Sequence, residues 1–223
     1  MRRSLLFLTC ALVLTISASQ CTAGIVSLTL DPNFSFVTLS IDGEAFQQSP
    51  ATGTATVDLS AHSATSGTGQ VTTLDLTLTN GLSFPGTIPI LGGATASTTG
   101  GDVSFSLVAP GAAGTIVPSA VVVSGGNFSQ LANEIAADGD VIFSSILGFT
   151  IFDLDTLTIS PTDFNGLGVE QSGDTFLVGG NFQIAQELDV AGTIVTLDAT
   201  GQFFGSGIKP CLLYTSPSPR DRG

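Results

Sequence analysis

Basic side chains are nearly missing from this 223-residue chain, which carries 5 Lys and Arg against 18 Asp and Glu. Between Gly24 and Pro210 the only base is Lys209, set against 17 carboxylates, a formal charge of −16. Such a body has no means of neutralising a phosphate backbone, so nucleic-acid binding is excluded as a role. The same deficit argues against phosphate-bearing cofactors and anionic lipid surfaces. Cysteine is absent from this stretch, with Cys10, Cys21 and Cys211 all lying outside it, and His62 is the sole imidazole. No zinc, haem or iron–sulfur ligand set can be assembled from these residues, and no disulfide supports the fold. Tryptophan is missing altogether and the one tyrosine is Tyr214. After the first twenty residues no apolar run reaches the roughly 18–20 residues of a spanning helix, so no transmembrane segment is expected in the visible mature chain.

The ends read differently from the body. Met1-Arg2-Arg3 precedes an apolar run from Leu5 to Ile16 and then Ser17, Ala18 and Ser19. This is the layout of a removable export signal, residues 1–23, with cleavage expected after Ser19 or Ala23. Gln20 stands where an acylated Cys21 would want a small neighbour, and the arginine pair lies in a short, plain leader, so general export is the expected route. At the far end, Cys211 to Asp221 reads CLLYTSPSPRD. That string resembles the translation of a transposase-type sequencing adapter over eleven consecutive codons. Residues 211–223 are therefore expected to be read-through, the natural sequence breaking off near Pro210. One secreted domain, 24–210, is expected between the two ends.

Alternation of apolar and polar residues is the clearest pattern in that domain. Val26, Leu28 and Leu30 interleave with Ser27 and Thr29; Val37, Leu39 and Ile41 follow, and Asp42-Gly43 supplies a turn. The pattern returns at Leu74, Leu76 and Leu78, at Val103, Phe105 and Leu107, at Leu157 and Ile159, and at Val195, Leu197 and Ala199. Period two with one polar face describes antiparallel sheet, dry on one side and wet on the other. Segments rich in Gly, Ser and Thr, such as 61–70 and 92–101, read as loops. Val141–Phe152 reads as a central strand pair. One stretch, Phe128 to Ala137, reads as a short helix, because Leu131, Ile135 and Ala136 fall on one helical face and Gly139 offers a stop. Ten to thirteen strands with one helix suit an all-β fold, a β-sandwich or jelly-roll-like double antiparallel sheet, with a closed β-barrel as the alternative.

Candidate chemistry is sparse. His62, in Ser60-Ala61-His62-Ser63, lacks a nucleophile-elbow pattern around its serines and reads as a loop histidine. A glycosidase needs two carboxyl groups flanking one bond, and sugar clefts usually carry Trp or Tyr platforms, which this body lacks. No catalytic residue is expected. Calcium is the ligand best matched to oxygen-only donors. The close acidic pairs are Asp138/Asp140, Asp153/Asp155 and Asp42/Glu44, none inside a complete calcium-loop motif. Asp138 and Asp140 are the candidate calcium ligands.

The segments SGTGQVTTLDLTLTNGLSF and GNFQIAQELDVAGTIVTLDATGQFFGSG, with the leader and the cysteine-free acidic body, resemble bacterial exported proteins that carry a PEP-CTERM sorting tail. The likeness is one of style over the body. The family's defining motif, apolar tail helix and basic end are not visible. The resemblance implies a cell-surface or extracellular-matrix location and no catalytic residue. Together with the composition, it points to a non-catalytic secreted protein whose partners are other surface or matrix molecules. A β-barrel module for an apolar ligand and a secreted hydrolase are the alternatives from other classes.

Overall fold

A computed structural model describes residues 24–208 apart from 46–47, 62, 85–86, 89–92, 100–102, 146–147, 157 and 191. The expected leader, the adapter-like string, Leu157 and His62 lie outside the described residues. Fifteen strands follow one another: β1 (Ile25–Leu30), β2 (Phe36–Ile41), β3 (Glu44–Ala45), β4 (Ser49–Leu59), β5 (Thr68–Leu78), β6 (Thr95–Thr98), β7 (Ser104–Ala109), β8 (Gly114–Thr115), β9 (Val117–Pro118), β10 (Gly125–Asp138), β11 (Asp140–Ser145), β12 (Gly148–Asp153), β13 (Thr158–Ser172), β14 (Thr175–Val190) and β15 (Thr193–Ile208). A 3-10 turn, Leu154–Thr156, lies between β12 and β13.

The fold is all-β and sandwich-like, as the alternation predicts. β1 and β2 lie end to end, because both pair antiparallel with β15 and both pair antiparallel with β4. From that broken strand, antiparallel pairing runs through β4, β5, β7, β10, β13, β14 and β15 and returns to its start. Most neighbours in this circuit follow one another closely in sequence, whereas the closing pairs of β15 with β1 and β2 join the two ends of the domain, and among the described residues the ladder has no long free edge to template another chain. A second, three-stranded sheet of β12, β11 and β6 stands beside it.

Apolar side chains fill the space inside. Val26, Leu28 and Leu30 of β1, Val37, Leu39 and Ile41 of β2, and Leu74, Leu76 and Leu78 of β5 are all buried. Phenylalanines supply much of the volume: Phe164 of β13 packs against Phe182 of β14 and Phe203 of β15, and Phe105 of β7 reaches Phe182. Gly201 of β15 makes this packing possible, since a Cβ there would run into the Phe182 ring. The Asp42-Gly43 turn forms as expected, with φ of 48° and 82°, the left-handed pair that a tight hairpin needs.

Three expectations are corrected. The Phe128 to Ala137 stretch is the middle of β10, not a helix. Its pairing with β13 shifts register between Phe128 and Gln130, Gln130 and Asn133, and Asn133 and Ile135. Leu131 and Ala132 both face outward at the bulge, with Ala132 at φ 59°, so the inward residues Gln130, Asn133 and Ile135 fall at spacings of three and two. Bulges insert an extra residue and disturb period two, and here exposed Leu131 falls four residues before buried Ile135, a spacing that imitates a helical stripe. Segments 61–70 and 92–101 are not wholly loops, because β5 begins at Thr68 and β6 occupies Thr95–Thr98. Val141–Phe152 does form a strand pair, β11 and β12, but β12 is the edge of the small sheet, with Phe149 at 73% and Ile151 at 52% exposure.

Candidate functional site

Two of the three acidic pairs singled out in the sequence meet at one corner. β10 ends at Asp138 and β11 begins at Asp140, with Gly139 at φ 110° turning between them. Asp140 lies opposite Asp153 in the β11–β12 ladder, which brings the second pair alongside the first. The 3-10 turn then locks the corner. Leu154 N–H donates to the Gly139 carbonyl at 2.8 Å, Gly139 N–H to Asp155 Oδ1 at 3.0 Å, and Asp155 N–H to Asp153 Oδ1 at 2.9 Å.

Asp138 and Asp155 share a side-chain hydrogen bond. Sharing a proton with the Asp155 carboxylate, and the repulsion of its charge, hold Asp138 above the ordinary aspartate range. The Gly139 N–H, followed by the bond to Asp138, draws Asp155 below it. Two carboxyls that perturb each other in this way cannot both ionise freely. Their oxygens are turned toward each other and toward backbone N–H groups. Among the described residues, no group of three or more His, Cys, Asp or Glu is arranged to hold a metal ion. The third pair lies elsewhere: Asp42 accepts the Thr196 N–H at 2.8 Å and ties the β2–β3 turn to β15. The serines beside His62 serve turns, Ser60 Oγ accepting the Thr68 N–H at 2.8 Å and Ser63 Oγ bonding Thr65 Oγ1 at 3.0 Å.

Buried polar side chains, which the alternation does not reveal, stand where the backbone ladder is interrupted. Gln130 and Asn133 of β10 are fully buried. The Gln130 amide accepts from Val71 N–H at 2.6 Å and donates to the Val71 carbonyl at 3.0 Å and to Asn133 Oδ1 at 2.6 Å. It thereby makes toward β5 the pair of bonds that a missing strand residue would make. Asn133 accepts the Gly111 N–H at 2.9 Å and donates to the Gln130 and Thr162 carbonyls, each at 2.9 Å. Ser35, at the break between β1 and β2, bridges the N–H and C=O of Phe204 in the same manner. The signal available in sequence was a polar residue at an inward position, hidden by the bulge in β10.

The outer face of β10, β13, β14 and β15 carries an open groove of about 350 Å³. Its floor lacks side chains because Gly168 and Gly179 are ladder partners. Asn127 lies beside Gly168 at one end of this row, and Phe204 beside Gly179 at the other. The next outward row holds Asn165, Asn181 and Gln202 in register, ending at Phe36 of β2. A second depression of about 320 Å³ continues past that row, sharing Asn181 and Gln202 with the first.

Comparison with protein-family models, with curated proteins and with solved structures gives no match for this chain.

Proposed function

We propose that this chain is a non-catalytic, secreted or cell-surface protein of the extracellular matrix, making contacts with other surface or matrix molecules through its β-sheet exterior. The observation that carries the reading is the union of a tightly filled interior with an exterior of Ser, Thr and amide side chains that is almost free of basic groups. The charge keeps such a body soluble and apart from nucleic acid and anionic membranes. The leader-like first twenty residues and the resemblance to sorted surface proteins supply the location. No helix among the described residues is long and apolar enough to cross a membrane, which says nothing of strands.

The rival reading, a module for an apolar ligand, requires interior room of several hundred Å³. The void between Leu39, Phe105, Ile184 and Leu197 amounts to about 10 Å³, and no observation favours that reading. Antibodies raised against residues 24–208 and applied to fractionated cells of the source culture test the proposal. Signal in the medium or on intact cells is expected. Confinement to the cytoplasm would contradict it.

A further inference from the structure

We infer that the outer face of β10, β13, β14 and β15 binds a neutral oligosaccharide chain in the glycine-floored trough between Asn127 and Phe204. The trough crosses four strands at roughly 4.8 Å spacing, about 14 Å in all, and the second depression extends it past Asn181 and Gln202. It is long enough for a short run of sugar units, and each depression is of ligand size.

Chemistry narrows the occupant. Among the described residues, the side-chain amides of Asn127, Asn165, Asn181 and Gln202 make no hydrogen bond, whereas those of Gln70, Gln130 and Asn133 are all engaged. Each free amide offers both donors and an acceptor, the complement of a sugar hydroxyl. Phe204 and Phe36 close the two rows with apolar rings. The ring of Phe204 is braced edge-on by Phe34, with centroids 5.6 Å apart and planes at 64°, and it offers the apolar face of a sugar a contact without tryptophan. An anionic ligand would meet no base, since the body holds only Lys209, and would meet Glu170 on the groove wall. A peptide could not add as a strand, because the backbone of this face is already paired on both sides through β13, β14 and β15.

The floor provides a selective test. A Cβ at Gly168 would meet nothing nearer than Asn127 Oδ1 at 3.8 Å and the Gly179 carbonyl at 3.9 Å. The backbone therefore accepts a side chain at this position, and Gly168→Leu puts an apolar one on the trough floor. The inference deepens the proposed matrix role, but it is tested on purified protein, so its failure is distinct from a failure of surface location. Side-chain amide NMR signals are followed while maltohexaose, cellohexaose, mannohexaose and laminarihexaose are titrated in turn, with oligogalacturonate and a Gly-Ser peptide as comparisons. At least one neutral oligosaccharide is expected to shift the Asn165, Asn181 and Gln202 signals saturably. Gly168→Leu is expected to abolish the shift with the melting midpoint unchanged, and Asn181→Ala to weaken binding at least tenfold. No saturable shift with any of the four, a shift indifferent to Gly168→Leu, or binding of the charged oligomer or the peptide in this trough would overturn the inference.

Discussion

Replacing Gln130 by alanine should be among the most damaging single changes available in this protein. Its amide gives Val71 both of that residue's bonds toward β10, and it also holds Asn133 Oδ1. Truncation strands a buried N–H and a buried C=O, each costing about 1–3 kcal/mol, and leaves a small void. A loss of about 3–5 kcal/mol follows, a large share of the ~5–15 kcal/mol that holds a domain together. At about 2–4 °C per kcal/mol for a domain of this size, the midpoint should fall by about 10 °C. Urea unfolding followed by far-ultraviolet circular dichroism measures the loss. Gln130→Met retains most of the volume while removing the bonds, and should lose nearly as much. Asn127→Ala, which removes an exposed and unbonded amide, should stay within about 0.5 kcal/mol. The reasoning is refuted if Gln130→Ala costs less than about 1 kcal/mol, or if Gln130→Met behaves like the parent. In the second case packing, not hydrogen bonding, would be the role of the side chain.

Other consequences follow from neighbouring features. Ala132 holds φ at 59° in the β10 bulge, a left-handed conformation that costs a residue with a Cβ about 1 kcal/mol; Ala132→Gly should raise the unfolding free energy by roughly 0.5–1 kcal/mol in the same urea titration. Ser35→Ala removes the hydroxyl that bridges Phe204 N–H and C=O and should cost about 1–2 kcal/mol by the same measurement. Carboxyl carbon NMR should show Asp138 titrating above the ordinary aspartate range and Asp155 below it, and Asp155→Asn should return Asp138 toward the ordinary value. The sign is opposite for the two groups: the Asp138 contribution favours folding at low pH and is lost as pH rises through its raised pKa, while the Asp155 contribution is present above the unfolded-state value and is lost as pH falls through its lowered pKa.

Much of the fold was legible because half the strands obey one rule. In β1, β2 and the Leu74–Leu78 half of β5 every second residue is apolar and buried, and the alternate residues are mostly serine, threonine or aspartate. The Asp42-Gly43 turn carried its own conformational signature. β10 was not legible because a bulge adds a residue to the ladder, and because the inward positions it creates are filled by Gln130 and Asn133, which no hydrophobic pattern detects. The ends of β13, β14 and β15 were obscured for another reason. Gly166, Gly168, Gly179, Gly180, Gly201 and Gly205 read as loop residues, yet they lie within strands of 15 to 16 residues.

Site legibility followed the same division. Sequence proximity placed Asp138 with Asp140 and Asp153 with Asp155, and the structure joins these pairs through the β11–β12 hairpin. The contact between Asp138 and Asp155 depends on the 3-10 turn, which has no local signature. The amide-lined trough was invisible because Asn127, Asn165, Asn181 and Gln202 are scattered over 76 positions and meet only through ladder register.

Amide hydrogen exchange at Val71 tests most directly the claim that a buried side chain bridges the interrupted ladder between β5 and β10. The Val71 N–H donates to the Gln130 side-chain amide oxygen at 2.6 Å. Protection equal to that of Val178, paired on both sides within β14, lost selectively in Gln130→Met, is the expected result. Exchange of Val71 at the rate of an exposed loop in the parent protein would contradict the account, because the ladder would then be open between β5 and β10.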